Sequence, residues 1–136
     1  MVTLLKADAT LMALLTGGVY DASLVEVISR DRTAGAFDAN KELLPCALVQ
    51  ATNRQVVPTF RRADQLGLTV YCYQRFGSAT IEAASLRIRT LLDRVRVAGL
   101  GSSQTWECQF AEMILGQRDL ALRAALVVSR YRVPVA

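Results

Sequence analysis

Between residues 66 and 92, the spacing of apolar side chains changes from every second residue to every third or fourth. The first part alternates at Leu66, Leu68, Val70 and Cys72. After residues 75–78 the apolar positions form a helical stripe made of Ile81, Ala84, Ile88, Leu91, Leu92 and Val95. A period of two is typical of a strand and a period of 3.6 of an amphipathic helix. The pattern therefore predicts a strand over 66–75 followed by a helix that Ser78 caps.

Three further strands are predicted by the same alternation, over residues 46–51, 105–115 and 120–133. Pro45 precedes the first, where its missing donor is tolerated. Glu112 interrupts the second, where Trp106, Cys108 and Phe110 point inward, and marks a bulge or a change of facing. Residues 116–119 are predicted to form the hairpin turn that joins the last two strands. One face of the last strand carries Leu120, Leu122, Leu126 and Val128, and the other carries Arg123, Ser129 and Tyr131.

An N-terminal helix is predicted over residues 3–15, with Thr3 as its N-cap and Gly17 as the left-handed residue after its end. Its apolar stripe is Leu4, Leu11, Leu14 and Leu15. Residues 24–28 are apolar enough for a short strand.

Two polar segments lack periodicity. Residues 30–42 are predicted to form a long loop, and loops of this length are often functional, so this one is a candidate contact arm. Residues 53–64 are predicted to form an extended hairpin between two strands, and residues 97–104 a flexible turn.

The predicted order is helix, strand, strand, helix, strand, strand. Strands joined by short connections pair antiparallel, and two helices with one apolar stripe each pack on one face of the sheet. We therefore expect a two-layer α+β domain with a mainly antiparallel four-stranded sheet and long loops. The far face of the sheet is expected to carry Tyr71, Tyr73, Val127 and Tyr131. Such a face is too apolar to be left in water, so we expect self-association.

The composition indicates one globular domain over residues 1–136, because 52% of the residues are hydrophobic and 21% are charged. No apolar run approaches the roughly 18 residues that a membrane span needs, so we expect a soluble intracellular chain without a membrane partner. Cys46, Cys72 and Cys108 are odd in number and lie in apolar stretches. We interpret them as buried free thiols, and expect neither a disulfide nor a metal site.

The chain contains no histidine. Imidazole is the commonest general base and transition-metal ligand near neutral pH, and no glycine-rich phosphate loop is present, so we expect neither an enzyme nor a cofactor. A small enzyme that uses Glu107 or Glu112 near Cys108 is the weakest of three hypotheses, because nothing positions a base there.

A net charge of +4 and a pI near 9.3 make nucleic acid a possible partner. All basic residues except Lys6 and Lys41 are arginine. Arginine is enriched at protein interfaces, which favours subunit contacts, although codon bias in a GC-rich genome explains the excess equally well. The predicted helix after Ser78 carries Arg87, Arg89, Arg94 and Arg96 opposite its apolar stripe. They form either a solvated basic face or a binding stripe.

Segments along most of the chain resemble the tail-terminator, or tail-completion, proteins of long-tailed bacteriophages. The resemblance lies in the order and pattern of five segments: residues 5–15 leading to Gly18-Val19-Tyr20, Pro45 before a strand, residues 68–73 before Arg75, the stripe from Ile81 to Leu92, and residues 127–133. It implies an α+β subunit of a homohexameric ring at the head-proximal end of the tail tube, in the neck region of a virion assembled in the host cytoplasm. The same pattern fits a neighbouring neck or head–tail joining protein.

The implied partners are further copies of the chain, the tail tube protein and a head-completion protein, with genomic DNA passing through the ring without sequence recognition. A ring needs two different patches on each subunit. We expect these patches, and the contacts with partners, to include Arg54, Arg61, Arg62, Tyr71, Tyr73, Arg87, Arg94 and Tyr131. The alternative is a small basic nucleic-acid-binding module, although the aromatic signature of RNA-binding domains is missing.

Overall fold

A computed structural model describes residues 2–51, 55–56, 64–98 and 105–135. Within these ranges the helices are α1 (Val2–Lys6), α2 (Ala9–Leu14), α3 (Ala22–Val25), the 3-10 turn Ala34–Ala36 and α4 (Ala79–Leu92). The strands are β1 (Val19–Asp21), β2 (Cys46–Ala51), β3 (Gln55–Val56), β4 (Asp64–Gln74), β5 (Arg96–Ala98), β6 (Thr105–Glu107), β7 (Gln109–Asp119) and β8 (Ala124–Val135). No helix in these ranges is long and apolar enough to cross a membrane.

Six strands form one sheet, in the order β1-β2-β4-β8-β7 with β3 also paired to β4, and β5 and β6 form a separate pair. The α+β class and the antiparallel pairing among β2, β4, β8 and β7 are confirmed. The predicted four-stranded sheet is too small, because β1 and β3 extend it, and β1 makes it mixed by running parallel to β2. The predicted hairpin over 53–64 is described only at its base, where β3 pairs antiparallel with β4.

Strand β4 lies at the centre of the sheet. It pairs with β2 on one side and with β8 over eleven residues on the other. Its side chains alternate between the two faces, with Leu68, Val70 and Cys72 on one face and Tyr71 and Tyr73 on the other. Both sets are packed against other parts of the chain, so β4 is the strand from which both hydrophobic clusters are built.

The first face is covered by the helices, and we call it the helix face. α4 was predicted from its stripe, and Ile81, Ala84, Ile88 and Leu92 are buried against the sheet as expected. Ser78 precedes α4, but its hydroxyl donates to Glu82 Oε1 at 2.9 Å instead of capping a backbone N–H. Apolar side chains of β2, β4 and β8 complete this cluster, and they include Ala47, Val49, Leu68, Val70, Cys72, Val127, Tyr131 and Val133.

The predicted single N-terminal helix is wrong, because the chain breaks into α1 and α2 at Asp8. The Asp8 carboxylate accepts a hydrogen bond from the Leu11 backbone N–H at 2.7 Å and so caps α2. The break rotates the first turn, so Leu5 is buried where Leu4 was expected to be. Asp8, a polar residue off the expected apolar stripe, is therefore the N-cap of a second helix.

The second face is covered at one end by residues 20–44 and the start of β8, and we call this end the loop-covered face. Ile28, Ala36 and Leu43 of the long loop are buried there against Leu48 and Tyr73. The loop is closed on itself by the Thr33 hydroxyl, which donates to the Ser29 carbonyl at 2.8 Å. The segment expected to form a contact arm therefore packs partly on the core of its own chain.

The expectation of an exposed aromatic face is wrong. Tyr131 pairs with Leu68 and Val127 with Cys72, so both point to the helix face, where Tyr131 is 1% exposed. Tyr71 and Tyr73 do lie on the other face, but the chain covers them itself. Beyond that cover, the described side chains of the second face include the polar Gln50, Glu112 and Arg130 and the apolar Ile114 and Val128.

The strand predicted over 24–28 is also wrong. Residues 22–25 form α3, and the strand lies earlier, at β1. The turn before β1 is hydrogen-bonded to the start of β2. The Gly17 N–H donates to the Pro45 carbonyl at 2.8 Å, and the Ala47 N–H donates to the Gly18 carbonyl at 3.0 Å. Gly18, not Gly17, has the left-handed conformation, with φ of +92°.

The last hairpin turns later than predicted. β7 continues through residues 116–119 to Asp119, and the turn is formed by residues 120–123, where the Asp119 carboxylate accepts from the Leu122 N–H at 2.8 Å. The register of β7 against β8 shifts between Phe110 and Glu112, which confirms the predicted bulge, and again between Ile114 and Gln117. Gly116, with φ of +71°, lies in the second irregularity and not in a turn.

The close contact at Gly17 gives the first prediction. A Cβ there would lie 3.0 Å from the Pro45 carbonyl oxygen and 3.1 Å from the Cβ atoms of Leu44 and Cys46. Because backbone must move to admit it, we expect Gly17→Ala to lower the free energy of unfolding by about 1–3 kcal/mol, measured by urea denaturation.

Thr16→Ala is the control. Thr16 is exposed beside Gly17, so removal of its hydroxyl and methyl groups should leave the free energy of unfolding within about 0.5 kcal/mol of the wild type. Equal stability of Gly17→Ala and the wild type would contradict the contact.

Candidate interaction surface

The three tyrosines predicted at an interface do not form one surface. Tyr73 is 7% exposed on the loop-covered face, and Tyr131 is buried on the helix face, where its ring meets Phe110 edge-on with centroids 5.6 Å apart. Tyr71 is only partly buried and packs at the edge of the second cluster. Of the three, Tyr71 alone keeps a partly exposed side chain.

The predicted arginines of α4 divide between internal contacts and solvent. The guanidinium of Arg87 donates from Nη2 to Asp8 Oδ2 at 2.6 Å and from Nε to Asp8 Oδ1 at 3.2 Å, so it ties α4 to α2. Arg89 lies over the Phe110 ring at 4.0 Å from its centroid. Arg94, just beyond the helix, is exposed. The helix is therefore not a uniform basic stripe.

Arg54, Arg61 and Arg62 lie outside the described residues, so their role stays a prediction. Asp93, the residue after α4, accepts a hydrogen bond from the Phe110 backbone N–H at 2.9 Å. The predicted site residues that are described are spread over both faces of the sheet. They do not converge on one place.

A different set of residues does converge, at the end of the sheet where β4 finishes and β8 begins. An open groove of about 630 Å³ lies between the long loop and the turn 120–123, and we call it the basic groove. Its cationic side chains are Arg30, Lys41, Arg75 and Arg123. Its acidic side chains are Asp31 and Glu42, and its apolar ones include Ile28, Phe37, Leu43 and Leu122. The cations outnumber the acids.

The cations of the basic groove are held in different ways. Arg75 is paired with Glu42, with Nη1 at 2.7 Å from Oε1. Arg30 donates from Nε to the Lys41 carbonyl at 3.1 Å and lies 5.7 Å from the Phe37 ring centroid. Lys41 and Arg123 have left-handed backbones, with φ of 61° and 52°, which is uncommon for residues other than glycine. Within the described part of the chain, no carboxylate is within ion-pair distance of Arg30, Lys41 or Arg123.

The three cysteines are buried free thiols, as predicted. Burial raises the pKa of Cys46 to about 12 and that of Cys72 and Cys108 to about 11. A reactive thiol needs a lowered pKa and access to solvent, so these groups are not poised as nucleophiles. Glu112, named in the enzyme hypothesis, is ion-paired with Arg130 at 2.5 Å on the other face of the sheet from the buried core that holds Cys108.

No protein-family model matches the chain, and no curated protein matches it. Among solved structures, a chain from the virion of a native gene transfer agent particle is similar in fold. The two superpose with a TM-score of 0.64 over 98% of this chain and 89% of the other, at 18% sequence identity. At this identity, the likeness establishes a shared fold across nearly the whole chain.

The basic groove was missed because its two walls are far apart in sequence. The polar segment over residues 30–42 and its arginines were identified in the sequence. The hairpin turn, however, was predicted at 116–119, four residues before its position in the structure. Only the register of β4 against β8, with Gln74 opposite Ala125, brings the turn 120–123 beside Arg75. The signal that was present is the run of charged residues in the aperiodic segment 30–42, which includes Arg30, Asp31, Lys41 and Glu42.

The Asp8–Arg87 pair gives a prediction about pH. The Arg87 guanidinium and then the Leu11 N–H lower the pKa of the Asp8 carboxyl, so its charge stabilises the fold above the unfolded pKa of about 3.9. That contribution is lost as pH falls through the lower folded pKa. Asp8→Asn keeps a helix cap but removes the charge.

We therefore expect the wild type to be more stable than Asp8→Asn near neutral pH, with a difference that shrinks only as pH falls below about 4. Urea denaturation at each pH measures it, and Asp31→Asn, at an exposed position, is the control. A difference that stays constant down to about pH 2 would contradict the pair.

The thiols give another prediction. In native protein at mildly alkaline pH, Ellman's reagent should label none of Cys46, Cys72 and Cys108 rapidly, and all three should react after denaturation. An Ala39→Cys variant, at an exposed position, supplies a fast-reacting control. A native thiol that reacts as fast as this control would overturn the assignment.

Proposed function

We propose that this chain is a structural subunit of a phage-like virion, and that it forms a homohexameric ring at the head-proximal end of a tail tube. In this role it ends tube polymerisation and joins the tail to the head or neck, and no catalytic step is involved. The observation that carries the proposal is the fold likeness to a virion chain over 98% of this sequence. The resemblance of five sequence segments to tail terminators supports the finer assignment.

A ring requires two unlike patches on each subunit, because its contacts run head to tail. The domain offers two unlike surfaces. One is the end of the sheet with the basic groove, beside which Phe76 and Leu120 are 73% and 86% exposed. The other is the outer side of α4, with exposed Leu86 and Arg94. Exposed apolar side chains among arginines are typical of protein interfaces.

The proposed partners are neighbouring copies, the tail tube protein and a head-completion protein, around a channel for DNA. Arg54, Arg61 and Arg62 are proposed to contact a neighbour, the tube or the channel. Ring formation is not needed to hide an apolar sheet face, since the chain covers that face itself. The ring is therefore proposed to form from domains that are already folded.

The competing role is a basic nucleic-acid-binding module. Several arginines that would serve it are engaged within the chain: Arg87 with Asp8, Arg75 with Glu42, Arg130 with Glu112 and Arg32 with Glu26. Phosphate binding needs cations that are free to replace counterions, so these pairs weaken that alternative.

The proposal is tested by measuring the mass of the purified chain in solution and imaging it by negative stain, alone and with tail tubes. We expect annular particles of six copies and tubes capped at one end. The variant with Arg54, Arg61 and Arg62 all changed to Glu should lose either the ring or the capping, whereas changing the exposed Arg96, Arg118 and Arg132 to Glu should preserve both.

A chain that stays monomeric at high concentration, never caps tubes, and binds DNA with an affinity that falls steeply with salt would instead support the nucleic-acid module. If the triple variant of Arg54, Arg61 and Arg62 still forms rings and joins tails normally, the proposed role of those three arginines is rejected, and the ring proposal is not.

A further inference from the structure

The basic groove combines unpaired cations with an apolar floor. Arg30, Lys41 and Arg123 are exposed, with no described carboxylate in ion-pair range. Ile28 and Leu43 lie buried beneath the floor at 5% and 8% exposed, whereas Phe37 and Leu122 are only partly buried. The positive charges thus surround apolar side chains of which Phe37 and Leu122 remain accessible through the open groove. A partner that satisfies both features must carry negative charge and apolar side chains together.

Hydrogen bonds and an ion pair hold the walls of the basic groove in place. The Arg30 guanidinium is fixed by the Lys41 carbonyl and the Phe37 ring, and Arg75 by Glu42. The loop wall is anchored to the core by the Leu44 N–H, which donates to the Ala36 carbonyl at 2.8 Å. Lys41 and Arg123 line the groove from two turns, in which each has a left-handed backbone. Cations held in advance bind with a smaller entropy loss.

We propose that the basic groove is a docking site for an acidic segment of a neighbouring polypeptide, bound as a short extended stretch in which carboxylates alternate with aliphatic side chains. The carboxylates pair with Arg30, Lys41 and Arg123, and the aliphatic side chains lie on the floor. The volume of about 630 Å³ is in the range of a site for a few residues. The acidic and aliphatic character of the segment follows from the groove. That the segment belongs to another virion protein rests on the proposed function.

The same cations would attract phosphate, but the floor of the groove favours a peptide. The floor is aliphatic apart from Phe37, whereas single-stranded nucleic acid stacks its bases on exposed aromatic rings.

The test measures binding of fluorescent heptapeptides of alternating Glu and Leu to the whole chain by anisotropy. The groove variant is Lys41→Glu with Arg123→Glu, because the Lys41 and Arg123 side chains make no hydrogen bond to the described part of the chain. The control is Lys6→Glu with Arg132→Glu, which makes the same charge change at exposed sites away from the groove. Thermal unfolding checks that each variant is folded. Peptides with Gln in place of Glu, and single-stranded DNA of equal length, are the comparison ligands.

We expect the acidic peptide to bind the wild type and the control equally, and the groove variant at least about tenfold more weakly, with an affinity that falls as salt rises. The Gln peptide should not bind. The proposal is overturned if the acidic peptide does not bind the wild type at millimolar concentration, if the Gln peptide binds as well, if the control loses as much affinity, or if DNA binds the groove more tightly. Because peptide binding does not require ring formation, its failure is distinguishable from failure of the virion role.

Discussion

Strand β4 must be buried on both of its faces, and the rest of the fold follows from how the chain meets that requirement. Val70 and Cys72 on one face and Tyr73 on the other are all at most 7% exposed. α2 and α4 cover the first face, and residues 20–44 with the start of β8 cover the second. The loop over residues 30–42, predicted to be a contact arm, therefore contributes part of its residues to the core. Only its outer side is left for contacts with a partner.

This arrangement explains where the interaction surface lies. Because the long loop folds back over the sheet, its polar residues are placed beside the end of β4 and the turn into β8. The sheet pairing that positions Tyr73 opposite Leu126 also positions Arg75 beside the groove. Core formation and assembly of the basic groove thus depend on the same register, and the exposed Phe76 and Leu120 lie at the same end of the sheet.

The elements with one strong local period were predictable from the sequence, namely β2, β4 and α4. The facing of β8 was not. Its residues are apolar on both sides, with Leu126 and Val128 as apolar as Val127 and Tyr131, so alternation alone does not say which side meets the helices. The break at Asp8 has a local cause, since its carboxylate caps the Leu11 N–H, but the apolar stripe that continues past Asp8 conceals it. The parallel β1 depends on contacts with Pro45 and Ala47, which are distant in sequence. The basic groove was not predicted for the same reason, since the candidate residues were chosen by local pattern and the groove is made by long-range pairing.

The central claim is that one copy of the chain buries both faces of its own sheet, and the fold of the dissociated chain tests it most directly. When the chain is diluted until mass measurement shows single copies, it should keep its circular dichroism spectrum and a cooperative urea transition, because dissociation of a ring removes no part of its core. Loss of structure together with dissociation would contradict the account, since it would mean that another copy must cover the sheet before the fold is stable.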